Sequence, residues 1–393
     1  MIKERIQLIT ESVLKAYVIL MVFIIPQNQT GLIMWASILI PLCLYWLYIL
    51  IKNGQIKINK KYFMIWTLLI VVVIFDVLLS EYSTSKLLQN TLQLFVLALI
   101  ASEKKETSPK TRIDVFYIIM TVFLIYNIIV TYKSNTVLRF TNFADTNYAS
   151  VIVFLYFLYS IKKGYKSGII IALVYLLINF SRLYIIGLIA FIIFAVISKT
   201  PIIKKAEDKE FSTKTVFGIF CTMIAFTYAL SYFWMGVVVG SSTTKYKASL
   251  NDTSNAIRMN ANIYSIKVIK NDMNLLWRGY DSDIKSALGL DDDLIENHKR
   301  YSGFRIVQPH NSYINPFLTY GILYTVMYLM VLSFIFAKLI SYKNIKIWGP
   351  YFIMCLFMHS LLTTFFLVFF VLVLKSDTKD KKKENHVKIQ EET

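Results

Sequence analysis

Residues 215–239 read TVFGIFCTMIAFTYALSYFWMGVVV, an apolar run that contains no Asp, Glu, Lys or Arg. A helix of about twenty apolar residues is long enough to cross the hydrocarbon core of a bilayer. The run also lacks the alternation of polar and apolar positions that a transmembrane barrel strand shows. Because backbone groups in lipid must be paired within the segment, the run is predicted to be a membrane-spanning helix.

Runs of the same kind recur along the whole chain of 393 residues, in which hydrophobic residues make up 56% of the total. The mean hydropathy is +0.55. These features predict an all-α polytopic membrane protein with about 12 transmembrane helices. The short pairs at 168–198 and 347–375 leave an alternative open, since each pair also fits one long helix or a re-entrant pair. The predicted spans are 12–26, 31–51, 62–80, 87–102, 113–132, 147–161, 168–181, 182–198, 215–239, 312–337, 347–361 and 362–375.

The distribution of lysine and arginine predicts the orientation of these spans. With the N-terminus in the cytoplasm, the short outer loops hold only Lys86, Lys133, Arg139 and Arg182, while the inner segments hold many more cations. Short cytoplasmic loops carry such an excess, so both termini are predicted to be cytoplasmic. The same asymmetry explains most of the net charge of +18. Membrane lipid is therefore an expected partner, and nucleic acid is not.

Two regions are predicted to lie outside the bilayer. Residues 1–375 form one integral membrane domain, whose external loop covers about 240–310. Within that loop, Ile263, Ile266, Met273 and Trp277 recur at helical spacing and predict an amphipathic helix. Residues 376–393 are rich in Lys, Asp and Glu, and they are predicted to be a disordered cytoplasmic tail.

No metal or cofactor site is predicted. The cysteines Cys43, Cys221 and Cys355 all fall in apolar spans without a CxxC pair. Asp281-Ser282-Asp283 copies the Asp-x-Asp spacing of many sugar-nucleotide transferases, and Asp291–Asp293 is an acidic triplet. Both lie in the predicted outer loop, where nucleotide sugars are not expected. We interpret them as solvated loop acids.

Ionisable residues collect at the predicted outer ends of the spans. His310 lies in Pro309-His310-Asn311 at the start of a span, and Arg182 follows Ser181 at the tip of a predicted hairpin. Ionisable groups at membrane depth are costly and therefore point to function. The competing interpretation is that an arginine at a helix end extends to lipid headgroups. The other members of the set are Arg139, Arg258, Arg305, Asp76 and His359.

The order of short motifs resembles that of the O-antigen ligase and polymerase superfamily. In that family, motifs of the form Asp/Asn-x-Asn-x-Ala, Ser-Arg and His-Asn occur in this order, and the last two flank a large external loop. The similarity covers about residues 139–325, with Thr146 at a position where proline is common. The matching residues are Arg139, Asp145-Thr146-Asn147-Tyr148-Ala149, Ser181-Arg182, Arg258 ahead of Trp277 and Gly279, and His310-Asn311 with Gly321.

The resemblance implies a glycosyltransferase at the outer face of a bacterial cytoplasmic membrane. Its substrate is an oligosaccharide on a polyprenyl pyrophosphate, which is moved from its lipid to a sugar hydroxyl of a second lipid-linked unit. The product is a surface polysaccharide such as an O-antigen, a capsule or an exopolysaccharide. A flippase and a chain-length regulator are then candidate partner proteins.

The site residues follow from this reaction. His310 is expected to act as general base on the acceptor hydroxyl, because a neutral imidazole is available near physiological pH. Arg182 is expected to stabilise the charge that grows on the pyrophosphate oxygens, so no metal is needed. His359 and Asp76 are secondary candidates. The residues expected to bind pyrophosphate or glycan are Arg139, Arg258, Arg305, Asn311, Asn147 and Asp145.

Two other functions stay open at this point. An O-antigen-type ligase would move finished glycan to an acceptor that is not a polyprenyl lipid, and the sequence does not separate it from a polymerase. A flippase for the same lipid-linked sugar belongs to the transporter class. Transporters of this size tend to contain internal repeats and polar groups near the bilayer midplane. We find no repeat, and the polar groups gather at the predicted outer edge.

Overall fold

The structure, a computed structural model, describes residues 2–24, 60–79, 84–102, 114–133, 146–179, 181–206, 209–240, 262 and 309–376. Within these ranges the chain is helical and contains no strand beyond a single bridge between Glu210 and Ser341. The prediction of an all-helical fold is therefore confirmed for the described residues.

The helices are α1 (Ile2–Ile24), α2 (Lys60–Leu79), α3 (Thr84–Ser102), α4 (Val115–Lys133), α5 (Thr146–Lys163), α6 (Lys166–Asn179), α7 (Arg182–Ile197), α8 (Pro201–Lys205), α9 (Thr213–Gly240), α10 (Asn315–Leu339), α11 (Ile345–Met354) and α12 (Phe365–Lys375). A 3₁₀ turn at Tyr342–Asn344 precedes α11.

Most helix bounds lie within a few residues of the predicted spans. The exceptions are α1, which begins ten residues earlier than predicted, and the last pair. The predicted span 31–51 lies outside the described residues. Two helical segments in the described ranges are long and apolar enough to cross a membrane, Thr213–Ser231 and Thr319–Leu339. Six shorter apolar segments, of 10 to 17 residues, accompany them.

Helix α5 lies at the centre of the bundle. Every residue from Ala149 to Ser160 is buried, which is the pattern of a helix surrounded by other helices on all sides. Its neighbours include α6, α7 and α12. The outward faces of other helices, in contrast, expose large apolar side chains, among them Leu78, Tyr126, Leu177, Ile192 and Phe233.

Helices α7 and α11 approach closely because small residues occupy their crossing. A Cβ atom on Gly187 would lie 2.8 Å from Met354 Sδ, and one on Gly349 would lie 2.7 Å from the Phe194 ring. Glycine at such positions lets two helix backbones pack tightly. This contact fixes the position of α11 along the axis of α7.

The last two helices are much shorter than the predicted spans 347–361 and 362–375. Helix α11 has 10 residues and α12 has 11, and residues 355–364 between them are not helical. At 1.5 Å per residue each helix is only about 15 Å long. The apolar run therefore contains two short helices and a buried turn, which we call the 355–364 connection.

Side chains from distant parts of the chain bind the backbone of the 355–364 connection. Asn311 Nδ2 donates to the Leu356 carbonyl at 2.9 Å, and the Ser312 hydroxyl donates to the Met358 carbonyl. Gln93 Nε2 of α3 donates to the Thr364 carbonyl at 2.8 Å. Tyr351 and Tyr328 donate to the Leu361 and Leu362 carbonyls, both at 2.6 Å. A buried irregular backbone needs such partners.

The connection between α5 and α6 is built differently. Gly164 has φ 75°, the left-handed conformation that glycine adopts at the end of a helix. The Tyr165 N–H donates to the Ser160 carbonyl at 2.8 Å, so the backbone closes the turn by itself. Nearby, the Asp114 carboxylate accepts hydrogen bonds from the Tyr159 and Tyr165 hydroxyls at 2.6 and 3.3 Å.

Lys162 ties the central helix to the last one. Its ammonium group is buried and donates to the carbonyls of Val373, at 2.9 Å, and of Leu374. These carbonyls belong to the last turn of α12, where a helix dipole favours a cation. The bond therefore fixes the C-terminal end of α12 against α5.

Candidate histidine site

His310 and His359 lie next to each other although 49 positions separate them in the sequence. Their ring centroids are 5.1 Å apart and the ring planes make an angle of 79°, which is an edge-to-face contact. Both side chains are half-buried. His310 precedes α10, and His359 lies in the 355–364 connection. The structure thus brings the predicted catalytic histidine to one of the two secondary candidates.

Tyr148 joins this pair from α5. Its hydroxyl group and His359 Nε2 are hydrogen-bonded at 2.8 Å, and which atom donates depends on the tautomer of His359. On its other side the Tyr148 ring stacks on Phe366, with centroids 5.6 Å apart and planes 9° apart. Tyr148 belongs to the quoted motif, but no role was predicted for it.

Asn311 and Ser312 hold the backbone on both sides of the histidine contact. Asn311 is fully buried, and its Oδ1 accepts the backbone N–H groups of Tyr313 and Ile314 at 2.8 and 3.1 Å. The Ser312 hydroxyl accepts the Leu361 N–H at 3.0 Å, while its own N–H donates to the Cys355 carbonyl at 2.8 Å. Asn311 is thus placed to fix the loop that carries His310, and its contact with substrate stays a prediction.

The site lies just inside the bundle rather than on its surface. Asn311 Nδ2 donates to Thr227 Oγ1 at 3.0 Å. Thr227 lies near the middle of α9 (Thr213–Gly240), and Tyr148 is the third residue of α5. The histidines are therefore half-buried within the bundle.

Arg182 lies at the same end of the bundle and is exposed. It is the first residue of α7, and Ser181 at the N-cap makes no side-chain capping bond among the described residues. Gly187, which packs on Met354 beside the 355–364 connection, lies only five positions, about 7.5 Å, further along α7. A cation in the first turn opposes the helix dipole, so helix stability does not explain this arginine.

A polar seam between α3 and α10 adjoins the site. Asn90 Nδ2 donates to the Tyr320 hydroxyl at 2.9 Å, and the hydroxyls of Thr91 and Tyr324 are 3.3 Å apart. Gly321 has φ 77° and breaks α10 beside Tyr320. Amide and phenol groups of this kind are common in ligand pockets. Apart from Gly321, these residues were not expected at the site, because they lie singly within apolar runs.

The remaining predicted residues are placed only in part. Asn147 is half-buried in the first turn of α5, immediately before Tyr148. Asp76 lies in α2, and the position of its side chain is outside what the structure describes. The predicted amphipathic helix also lies outside the described residues except Asn262, whose Nδ2 donates to Ser231 Oγ at 3.2 Å. The candidates that lie wholly outside are Arg139, Asp145, Arg258 and Arg305.

No family model, no curated protein and no solved structure matches the chain.

Proposed function

We propose that the chain is a polytopic membrane glycosyltransferase that polymerises oligosaccharide repeat units carried on polyprenyl pyrophosphate. The observation that carries the proposal is the contact between His310 and His359, half-buried at the end of the bundle where Arg182 is exposed. A base and a cation at one end are the two groups that this transfer needs. The motif order described above supplies the substrate class.

Membrane integration is the first part of the proposal. Two apolar helices of spanning length and large exposed apolar side chains on α2, α4, α6, α7 and α9 support it. We place about 12 apolar segments in a bacterial cytoplasmic membrane, with both termini in the cytoplasm. For residues 345–375 the short lengths of α11 and α12 favour the re-entrant pair over two full spans.

In the proposed reaction, the oxygen of the acceptor hydroxyl attacks the anomeric carbon of the donor sugar. The bond from that carbon to the pyrophosphate oxygen breaks, and its electron pair leaves with the pyrophosphate. His310 takes the hydroxyl proton, and Arg182 binds the charge that develops on the leaving group. Direct displacement inverts the anomeric centre and frees a polyprenyl pyrophosphate.

The site also suits an acceptor that must be shielded from water. The half-buried position of both histidines keeps the imidazole partly out of bulk solvent, which strengthens its hydrogen bonds to a substrate. Arg182 is exposed at the same end of the bundle, where it can meet a pyrophosphate headgroup.

The test is to incubate the purified protein in detergent with the polyprenyl-pyrophosphate repeat unit and to resolve the products by size. The expected product is a ladder whose bands differ by one repeat, formed equally well in the presence of EDTA. Unchanged substrate with folded protein would overturn the polymerase. Transfer to a different acceptor, or translocation in vesicles, would then identify a ligase or a flippase.

Matched variants test the two residues within the same assay. Arg182→Ala should abolish the ladder, while Lys166→Ala should leave it intact. Lys166 is a suitable control because it is also an exposed cation at the first position of an apolar helix, α6, which runs antiparallel to α7. His310→Ala should abolish the ladder as well, with His386→Ala as its control. Full activity of Arg182→Ala and His310→Ala would reject the site.

A further inference from the structure

Two contacts hold Tyr148 in a fixed orientation, one to its ring and one to its hydroxyl. Phe366 stacks on one side, and on the other side the phenol hydroxyl meets His359 Nε2 at 2.8 Å. The Tyr148 and His359 rings are edge to face, with centroids 5.9 Å apart. A phenol fixed in this way binds His359 through Nε2 and so fixes the orientation of that ring.

The His359 ring in turn contacts the His310 ring edge to face at 5.1 Å. Tyr148, His359 and His310 thus form a continuous series from the central helix α5 to the loop before α10. We call this series the Tyr–His–His series. Edge-to-face contacts between aromatic rings have a preferred geometry, so the orientation of His359 constrains that of His310.

The backbone beside His359 is strained at the next residue, Ser360. Ser360 has φ 72°, and among the described residues it is the one non-glycine residue with a positive φ. Strain of this kind persists only where the surroundings enforce it. Ser312 does so here, because its hydroxyl binds both the Met358 carbonyl and the Leu361 N–H. Ser312 lies two residues after His310, so a single side chain ties both histidine segments together.

We propose that Tyr148 and His359 are positioning residues that aim the His310 imidazole at the acceptor hydroxyl. This inference rests on the proposed glycosyl transfer. When His310 takes the proton, the resulting imidazolium still lies against the His359 ring, whose orientation constrains that of His310. Tyr148 keeps the His359 ring in the orientation that this contact needs. Neither residue bonds to the sugar or to the pyrophosphate.

The first test is kinetic. Tyr148→Phe removes only the hydroxyl and keeps the stack on Phe366, so it should lower kcat about 10-fold, the effect of one lost hydrogen bond, and leave KM within about twofold. Tyr184→Phe is the matched control, because it removes a buried phenol that donates to the Ala172 carbonyl at 3.0 Å, away from the histidines. An unchanged kcat in Tyr148→Phe would overturn the inference.

A conservative substitution at His359 sharpens this test. His359→Gln keeps a polar group that can meet the Tyr148 hydroxyl, whereas His359→Ala removes it. The glutamine variant should retain several-fold more kcat than the alanine variant, at equal protein stability. Equal activity of the two variants would show that His359 only fills space, and the inference would fail.

The second test does not depend on turnover. The chain has only four histidines, so ¹⁵N-histidine labelling and solid-state NMR in lipid bilayers give a spectrum that single His→Gln variants can assign. Tyr148→Phe should shift the ring nitrogens of His359 and leave those of His298 and His386 unchanged. Unshifted His359 signals would overturn the Tyr–His–His series. If Tyr148→Phe shifts the His359 signals but the wild-type protein makes no polymer, the proposed function would be overturned, and this inference with it.

Discussion

Two connections between consecutive helices show how differently this chain builds a turn. The α5–α6 connection at Gly164 closes through backbone hydrogen bonds and one glycine in the left-handed conformation. The 355–364 connection places Ser360 in the same φ region, although serine has a side chain that disfavours it. It is stabilised by groups far away in the sequence, such as Gln93, Asn311 and Tyr328.

The difference indicates that backbone strain is tolerated in the 355–364 connection, where it accompanies a candidate site residue. A glycine turn is local, so it can form wherever a helix ends. A strained, buried turn that needs side chains from several helices forms only in the complete bundle. The 355–364 connection carries His359, whereas the described residues of the α5–α6 connection carry no candidate catalytic group. The 355–364 connection is strained and the α5–α6 connection is not, which fits a positioning role for the 355–364 connection.

The largest expected effect concerns accessibility. In detergent-solubilised protein without the three native cysteines, where a reagent reaches both faces, a bulky maleimide should label Lys166→Cys beside the α5–α6 connection. The same reagent should not label Ser360→Cys, because the 355–364 connection is recessed within the bundle. A small methanethiosulfonate reagent should reach Ser360→Cys. Equally fast maleimide labelling at both positions would contradict the re-entrant pair.

Asn311→Ala should cause the largest loss of stability. It leaves the Tyr313 and Ile314 N–H groups and the Leu356 carbonyl buried without their side-chain partner. Each such group costs about 1–3 kcal/mol, so the free energy of unfolding should fall by about 3 kcal/mol or more. Unfolding in detergent, followed by tryptophan fluorescence, measures it. The control Ser167→Ala removes an exposed contact with Tyr117 and should change stability by less than about 0.5 kcal/mol.

Two substitutions, one at each turn, should change the free energy of unfolding in opposite directions. Ser360→Gly relieves a positive φ and should stabilise the fold, while Gly164→Ala introduces the same strain and should destabilise it. Each effect should be about 1 kcal/mol. The same unfolding assay measures both. A destabilised Ser360→Gly variant would show that contacts of the serine side chain outweigh the backbone strain.

The smallest effect is a pH dependence at the α5–α6 connection. Burial, together with the nearby Asp114 carboxylate, raises the pKa of Tyr165 to about 12. Because this value lies above the ordinary pKa near 10, the neutral phenol stabilises the fold up to about pH 10, and the contribution is lost as the pH rises through about 12. Tyr165→Phe should therefore lose less stability than wild type over that interval. Parallel losses in both proteins would contradict this assignment.

The sequence predicts most helices well because their signals are local. Helix α7 was expected at 182–198 and occupies Arg182–Ile197, and α5 was expected at 147–161 and occupies Thr146–Lys163. In both cases an apolar run ends at a charged or polar residue. The predictions were less accurate for 347–375, where residues 355–364 contain no glycine or proline that would mark a turn. What breaks the helix there is a set of hydrogen bonds to residues such as Ser312 and Gln93, which no local pattern reveals.

The sequence predicted that both histidines belong to the candidate site but not that they contact each other. His310 was found from its position before a span, and His359 from its position in an apolar segment. Their contact depends on the packing of α10 against the last helices and could not be derived from spacing. Tyr148 was visible in the sequence as part of the motif that begins at Asp145. Its role required the distance to His359, since a tyrosine near a helix end has no distinctive signal.

The bond between Lys162 and α12 has a consequence for biosynthesis. The carbonyl of Val373 that Lys162 binds lies 211 positions later in the chain. The ribosome must therefore synthesise more than half of the protein after Lys162 before α12 can dock against α5. Until then the contact between α5 and α12 cannot form, so the bundle cannot finish folding in order from the N-terminus. Truncation before α12 should therefore leave a folding intermediate rather than a smaller working protein.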